Sequence, residues 1–197
     1  MTDEKNTGSG KKKPSRLRTL TVEDVERMEK ELDVDGLVEA LGDRSSEVRA
    51  YAVMALHDIG GEKTTQALIR TLREDENSYV RWRAANALEI GDPRAVEPLI
   101  RALQEDEDWE VRESAAMALA EFEGDRVVEA LIQALRDEEA VVRMKAAWSL
   151  GWIGDARALE PLREAVEREE SEAAIQEMWD AITNIEDQQE DEAYRNS

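Results

Sequence analysis

The side chains that most often carry out chemistry are scarce in this sequence. His57 is the only histidine, Asp58 follows it directly, and there is no cysteine. A zinc site needs several His or Cys ligands, and a Ser–His–Asp triad needs a serine that no pattern places beside His57. Carboxylates are abundant, but on so acidic a chain their pairing identifies no site. The sequence therefore predicts no catalytic residue, no metal site and no cofactor.

One charged pattern does repeat along the chain. An arginine follows a valine in four places, and an aspartate lies five residues before each valine. The arginines are Arg49, Arg81, Arg112 and Arg143, and the aspartates are Asp43, Asp75, Asp106 and Asp137. They form either a ladder for anionic ligands or a structural ladder of ion pairs and turn hydrogen bonds between repeats. Because so many carboxylates surround these arginines, we favour the structural ladder.

The stretch from Asp92 to Asp125 shows which elements must position these residues. Its first half carries an apolar stripe with the spacing of one helix face: Val96, Leu99, Ile100 and Leu103. After a short acidic turn, its second half carries another such stripe: Val111, Ala115, Ala118, Leu119 and Phe122. These patterns predict two amphipathic helices. A two-helix hairpin has no core of its own, so it must pack against further copies.

The same hairpin recurs five times with a period close to 31 residues. Equivalent leucines follow one another at intervals of 31, 31, 32 and 31 residues: Leu37, Leu68, Leu99, Leu131 and Leu162. Such repetition predicts an all-α fold, an α-solenoid or superhelix of five helical hairpins in which each unit buries its apolar stripe against the next.

The predicted organisation begins with a disordered basic tail over 1–20 and an N-terminal capping helix over 21–32. Five repeats follow, over 33–61, 62–91, 92–124, 125–154 and 155–186. An acidic C-terminal tail over 187–197 is predicted to fray. Glycines are predicted to end the second helices at Gly60, Gly61, Gly91, Gly124 and Gly154. Aspartates are predicted to cap the helices that follow at Asp92, Asp125 and Asp155.

Three segments of the sequence resemble the repeat motifs of a known family. They are Ala95 to Leu103, Val111 to Leu119, and Val142 to Gly154. They resemble HEAT repeats, in particular the short HEAT-like repeats of phycobilisome lyases, and the resemblance covers roughly residues 33 to 186. It implies a solenoid fold, and it carries less information about function.

The resemblance raises two enzymatic alternatives. HEAT-like deoxyhypusine hydroxylases hold two irons with several His-Glu pairs, whereas this chain has only His57-Asp58, so that activity is not expected. A lyase that attaches an open-chain tetrapyrrole needs a groove for the pigment, which a row of tryptophans can provide. A bilin lyase-like or other small-ligand-handling role therefore stays open as the alternative.

Large apolar residues lie on the face of each second helix that is opposite the core. In the family that the chain resembles, this helix lines the concave surface. The predicted partner-binding residues are Tyr51, Met54, Trp82, Arg83, Asn86, Met117, Glu121, Met144, Lys145, Trp148 and Trp152. Exposed aromatic and Met residues at one phase are typical of an interface, although packing against neighbouring helices is the alternative. Trp179, at a core-like position, is expected to pack inside.

Charge narrows the choice of partner. The formal net charge is −21, so the solenoid body is not expected to bind nucleic acid. The acidity suits either a high-salt cytoplasm or a merely acidic solenoid. The tail over 1–20 has six basic and two acidic residues, and it is either a tether for an anionic surface or a solvated tail.

The leading hypothesis is a non-enzymatic protein-binding scaffold that holds a basic or amphipathic protein or peptide. The N-terminus has no apolar signal segment, no apolar run is long enough to span a membrane, and the lack of cysteine suits a reducing compartment. A cytoplasmic location is therefore expected. The oligomeric state is open, with a monomer favoured.

Overall fold

The protein is described by a computed structural model that covers residues 19–88 and 91–195. Most of the basic tail predicted over 1–20 lies outside these residues. The described part forms eleven α-helices, which are α1 (Val22–Lys30), α2 (Val34–Ala40), α3 (Ser46–Ile59), α4 (Glu62–Glu74), α5 (Ser78–Ala87), α6 (Val96–Glu105), α7 (Trp109–Leu119), α8 (Asp125–Ala134), α9 (Ala140–Ile153), α10 (Leu159–Val166) and α11 (Glu172–Arg195). Short 3₁₀ turns at Pro93–Ala95 and Ala156–Ala158 precede α6 and α10.

The helices form a solenoid of consecutive hairpins, as the sequence predicts. The pairs are α2–α3, α4–α5, α6–α7, α8–α9 and α10–α11, and α1 packs on the first pair. No strand occurs in residues 19–88 and 91–195. The equivalent leucines of all the hairpins, Leu37, Leu68, Leu99, Leu131 and Leu162, are at most 2% exposed. The leucines at this repeated position therefore lie in one continuous core.

The second helices of successive hairpins lie side by side on the inner side of the array. They pack against one another more extensively than the first helices do. Small residues such as Ala84, Ala115 and Ala146 are fully buried along this row, and they permit close approach of the backbones. Because the second helices are closer together, the array curves toward them.

Glycines end α3 and α9 as predicted, whereas α5 and α7 already end at Ala87 and Leu119, so the predictions for Gly91 and Gly124 are wrong. Gly60 and Gly154 follow the last residues of α3 and α9 with φ of 70° and 75°, a backbone region that other residues rarely adopt. The carboxylates of Asp92 and Asp155 accept hydrogen bonds from the backbone N–H groups of Arg94 and Arg157, so both cap the turns that follow.

The cap prediction for Asp125 is wrong. Gly124 is the N-cap residue of α8, and its carbonyl accepts from the N–H groups of Val127 and Val128. The helix therefore begins at Asp125 itself. Its carboxylate pairs instead with Arg157 of the next repeat, 2.9 Å away.

The C-terminal segment differs from its prediction as well. The sequence predicts a frayed tail from residue 187, but α11 continues to Arg195. Gln188 Nε2 donates to the carbonyl of Gly151 at 3.1 Å, and Gln189 Nε2 donates to that of Gly154 at 3.2 Å. These carbonyls end α9 and have no acceptor role within their own helix, so the two amides fasten the extension to the body. None of the described helices combines the length and the apolar character needed to cross a membrane.

Candidate functional site

The recurring arginines connect each inter-helix turn to the next. Arg49 donates from Nε and Nη2 to the carboxylate of Asp75 at 2.7 and 2.8 Å, and from Nη1 to the carbonyl of Asp43 at 3.0 Å. The same three-bond arrangement joins Arg81 to Asp106, Arg112 to Asp137 and Arg143 to Glu169. Each acid also accepts a backbone N–H from its own turn.

The positive charges of the ladder arginines are balanced by carboxylates of the same chain. Hydrogen bonding to the facing carboxylate raises the pKa of Arg49, Arg81, Arg112 and Arg143. In return, Arg143 and two turn N–H groups lower the pKa of Glu169 to about 2. The acid partners are 10% exposed or less. The ladder therefore has its guanidinium groups occupied, which leaves little capacity for an anionic ligand.

The inner stripe, defined as Tyr51, Met54, Trp82, Met117, Met144, Trp148 and Trp152, lies along α3, α5, α7 and α9. Tyr51, Met54 and Trp148 are 41%, 39% and 38% exposed, and Trp152 is 62% exposed. Trp82 and Met144 are partly buried and pack against the core, and Met117 is partly buried as well. The stripe thus has solvent-exposed rings at both ends and a partly buried centre.

The first aromatic pair of the inner side carries its own cation. Tyr79 stacks on Trp82 with ring centroids 5.5 Å apart. The guanidinium of Arg83 lies 5.1 Å from the Tyr79 centroid and 5.4 Å from the Trp82 centroid, and it donates to the Tyr79 hydroxyl. Tyr79 is missing from the residues predicted from sequence. Its position three residues before Trp82, on the same helical face, is the signal that points to it.

The second aromatic pair has no such cation. Trp148 and Trp152 are one helical turn apart on α9, and their rings stack with centroids 5.9 Å apart at an angle of 15°. Within residues 19–88 and 91–195, no arginine or lysine stacks on either ring. This pair is therefore an open, planar apolar surface.

A cavity of about 350 Å³ lies between α3 and α5. Met54 and Trp82 supply its apolar wall, and Asp58, Arg83 and Asn86 supply polar groups. The Asn86 amide donates to the carbonyl of Trp82 at 3.2 Å. Such a mixed pocket can accept a side chain or a small planar molecule.

The lone histidine has a structural contact. His57 Nδ1 lies 3.2 Å from the carbonyl oxygen of Ala87 and so links α3 to α5. In the described part of the chain, no group of three or more His, Cys, Asp and Glu residues is arranged to hold a metal ion.

The repeat positions equivalent to Trp152 and Trp148 are acidic in the neighbouring repeats. Glu121 is exposed just beyond the end of α7, and Asp180 is exposed on α11. Burial raises the pKa of Glu177, and the charge of Asp180 raises it further, while Lys145 on α9 opposes the shift. Glu177 and Asp180 are absent from the sequence prediction because the repeat phrase fades in α11.

Trp179 is not packed inside, contrary to expectation. It is 48% exposed, and Met178 is the residue that is completely buried. The equivalent residues of the earlier repeats, Val53, Ala85, Ala116 and Ala147, are at most 1% exposed. Of these, Ala116 lies beside the next second helix, where its carbonyl accepts a hydrogen bond from Ser149 on α9. No helix follows α11 among the described residues, so nothing covers Trp179.

Solved structures with similar folds include a lyase complex and designed armadillo repeat proteins. The complex of CpcE and CpcF of phycocyanin lyase from Nostoc sp. PCC7120 matches with a TM-score of 0.63 at 23% identity, over 76% of this chain and 98% of that one. YibA from Escherichia coli matches with a TM-score of 0.58 at 24% identity, over 82% and 60%. A designed armadillo repeat protein in complex with the peptide (KR)4 matches with a TM-score of 0.55 at 21% identity, over 85% and 87%.

The family of the chain follows from comparing its sequence with models of protein families. No curated protein sequence matches the chain. The family model of HEAT repeats matches twice, over residues 34–120 and 96–179, which together span most of the chain. With its hairpins and buried repeat phase, the chain belongs to the HEAT-repeat family.

Proposed function

We propose that this protein is a non-enzymatic scaffold that holds a basic or amphipathic segment of a partner protein along its inner stripe. The observation that carries the proposal is the exposure of large apolar side chains at one helical phase on two inner helices, α3 and α9. Trp152 is 62% exposed although it stacks on Trp148. Exposed rings in a row are costly for a free surface and typical of binding hot spots.

The charge of the chain supports the choice of partner. The net charge of −21 attracts basic segments and repels other anions, so association is expected to weaken as salt rises. The occupied arginine ladder supports the same choice, because its guanidinium groups are paired and not offered to an anionic partner.

The test is a capture experiment from the native host with chemical cross-linking and mass spectrometry. Wild-type protein is compared with Trp148→Ala/Trp152→Ala and with Trp109→Ala, which removes a ring of similar exposure (39%) from the start of α7. The proposal expects partners that Trp109→Ala retains and the double variant loses. Partners retained with unchanged affinity by the double variant contradict it.

A second candidate is the handling of a planar pigment or other small ligand. It is favoured by the structural similarity to a phycocyanin lyase complex and by the open stack of Trp148 on Trp152, on which a conjugated ring can lie. This candidate expects a coloured complex on incubation with a bilin, lost in Trp148→Ala/Trp152→Ala. A colourless protein after removal of free pigment contradicts it.

A further inference from the structure

The inner side has two stacked aromatic pairs of similar geometry, which can be compared directly. Their ring centroids are 5.5 Å apart in Tyr79–Trp82 and 5.9 Å apart in Trp148–Trp152, with interplanar angles of 20° and 15°. The first pair carries the guanidinium of Arg83 within 5.4 Å of both centroids. An aromatic face attracts a cation because its quadrupole is negative there.

The neighbours of the second pair are defined by two helix crossings. Ser149 Oγ donates to the carbonyl of Ala116 on α7 at 2.8 Å. On the other side, a Cβ added at Gly151 would lie 2.8 Å from the Cα of Ala181 on α11. The successive second helices run in the same direction. Ser149 and Gly151 contact residues two positions before their equivalents, which are Ala118 on α7 and Thr183 on α11, so equivalent positions lie within about one helical turn of each other.

On each side of α9, a carboxylate occupies the repeat position equivalent to one of the two tryptophans. Glu121 on the α7 side is the equivalent of Trp152, and Asp180 on α11 is the equivalent of Trp148. Asp180 accepts a hydrogen bond from the neutral amide of Gln176 at 2.8 Å, and it forms no ion pair with any residue of 19–88 or 91–195. Lys145 lies three residues before Trp148 on α9, and its charge also acts on Glu177, where it opposes the rise in the pKa of that carboxyl. The pair therefore combines open aromatic faces with acidic residues at the equivalent positions of the neighbouring repeats.

We propose that the Trp148–Trp152 pair is a subsite for an arginine side chain of the partner segment, with the guanidinium stacked on the indoles and attracted by Glu121 and Asp180. The inference rests on the proposed scaffold function and specifies the chemistry that the partner must supply. Arginine fits better than lysine because its planar group stacks on a ring while its edge still donates to carboxylates.

The experiment uses small blocked amino acids and so does not depend on knowing the partner. N-acetyl-arginine N-methylamide is titrated into ¹⁵N-labelled full-length protein, and the indole Nε1–H signals of the five tryptophans are followed. Single Trp→Phe variants assign the signals. Saturable shifts are expected at Trp148 and Trp152 and not at Trp82, whose ring already carries Arg83.

Two chemical controls separate charge from shape. The lysine analogue is expected to bind about threefold more weakly than the arginine analogue, and the citrulline analogue, which is isosteric but neutral, about fivefold or more weakly. Equal affinity for arginine and citrulline analogues, or parallel shifts at Trp82, overturns the proposal.

Two variants test the contribution of the carboxylates. Glu121→Gln/Asp180→Asn keeps both rings and is expected to weaken arginine binding about threefold. Glu129→Gln/Glu167→Gln makes the same change of charge at exposed sites on the first-helix side and is expected to leave the affinity unchanged. Equal effects of the two double variants would mean that only the overall charge matters, and would overturn the subsite. If Trp148→Ala/Trp152→Ala loses a partner but the arginine analogue does not bind the wild-type protein, this subsite is ruled out. The scaffold proposal stands in that case.

Discussion

Arg112 and Asp137 join two turns of the solenoid through a bidentate ion pair. Arg112 donates from Nε and Nη2 to the Asp137 carboxylate at 2.8 and 3.0 Å, while its Nη1 donates to the carbonyl of Asp106 at 2.9 Å. Both side chains are at most 10% exposed. Because equivalent bonds recur at the other turns, this contact is a repeated connection between hairpins.

Removal of this connection is expected to destabilise the fold. Arg112→Ala leaves the Asp137 carboxylate buried without its counter-charge, so the free energy of unfolding is expected to fall by about 3 kcal/mol. The matched control is Arg101→Ala, which breaks an exposed ion pair with Glu105 at 3.7 Å and is expected to cost less than about 0.5 kcal/mol. Urea unfolding followed by circular dichroism measures both, and equal losses would contradict the structural role.

Glu169 makes the stabilisation from the ladder depend on pH, and the shift in its pKa gives the direction. The pKa of its carboxyl falls from 4.5 to about 2 on folding, so the stabilisation is complete above about pH 4.5 and is lost as the pH falls through about 2. Wild type is therefore expected to exceed Glu169→Gln in unfolding free energy at pH 7, and the difference is expected to shrink at pH 3. Urea unfolding at the two values checks this, and a difference that grows at pH 3 would refute it.

Gly151 permits the close crossing of α9 and α11. A Cβ at this position would meet the Cα of Ala181 at 2.8 Å and its Cβ at 3.0 Å, so the helices would have to separate. Gly151→Ala is expected to reduce the unfolding free energy by about 1–3 kcal/mol, despite the usual helical preference for alanine. Gly42→Ala is the control, since its added Cβ meets only the Glu39 carbonyl at 3.4 Å, and a change within about 0.5 kcal/mol is expected. A stabilised Gly151→Ala protein would contradict the crossing.

The exposed rings are expected to contribute little to folding. Trp152 is 62% exposed, whereas Met178 is completely buried. Trp152→Ala is therefore expected to change the unfolding free energy by less than about 1 kcal/mol, and Met178→Ala to reduce it by about 2–5 kcal/mol. Thermal and urea unfolding of both variants measure the contrast. A large loss in Trp152→Ala would assign that ring to the core and remove the main support for the scaffold proposal.

The repeat phase made much of the architecture predictable from sequence. The period of Leu37, Leu68 and Leu99 predicts the hairpins and their common core, because a helix of fixed pitch places equivalent spacings on equivalent faces. The recurrence of Arg49 beside carboxylate-rich turns likewise predicts a ladder between repeats. Such patterns are local or strictly periodic, so they can be read without coordinates.

The ends of the array were less predictable, because there the pattern fades. Trp179 was expected inside, yet its position is one that only a following helix would cover. The segment from residue 187 was expected to fray, yet Gln188 and Gln189 fasten it to carbonyls that end α9. Both outcomes depend on contacts between residues of different repeats, for which the sequence contains no spacing rule.

The same division applies to the candidate site. The sequence by itself determined a HEAT-type solenoid and the phase that places Trp148 and Trp152 on its inner side, since helical periodicity decides which residues share a face. Only the tertiary structure decided that these rings stack openly with no cation from the described residues while Trp82 carries Arg83, and that Glu121 and Asp180 are exposed. Those relationships depend on how neighbouring helices cross, which is set by packing across the whole array and not by spacing within one helix.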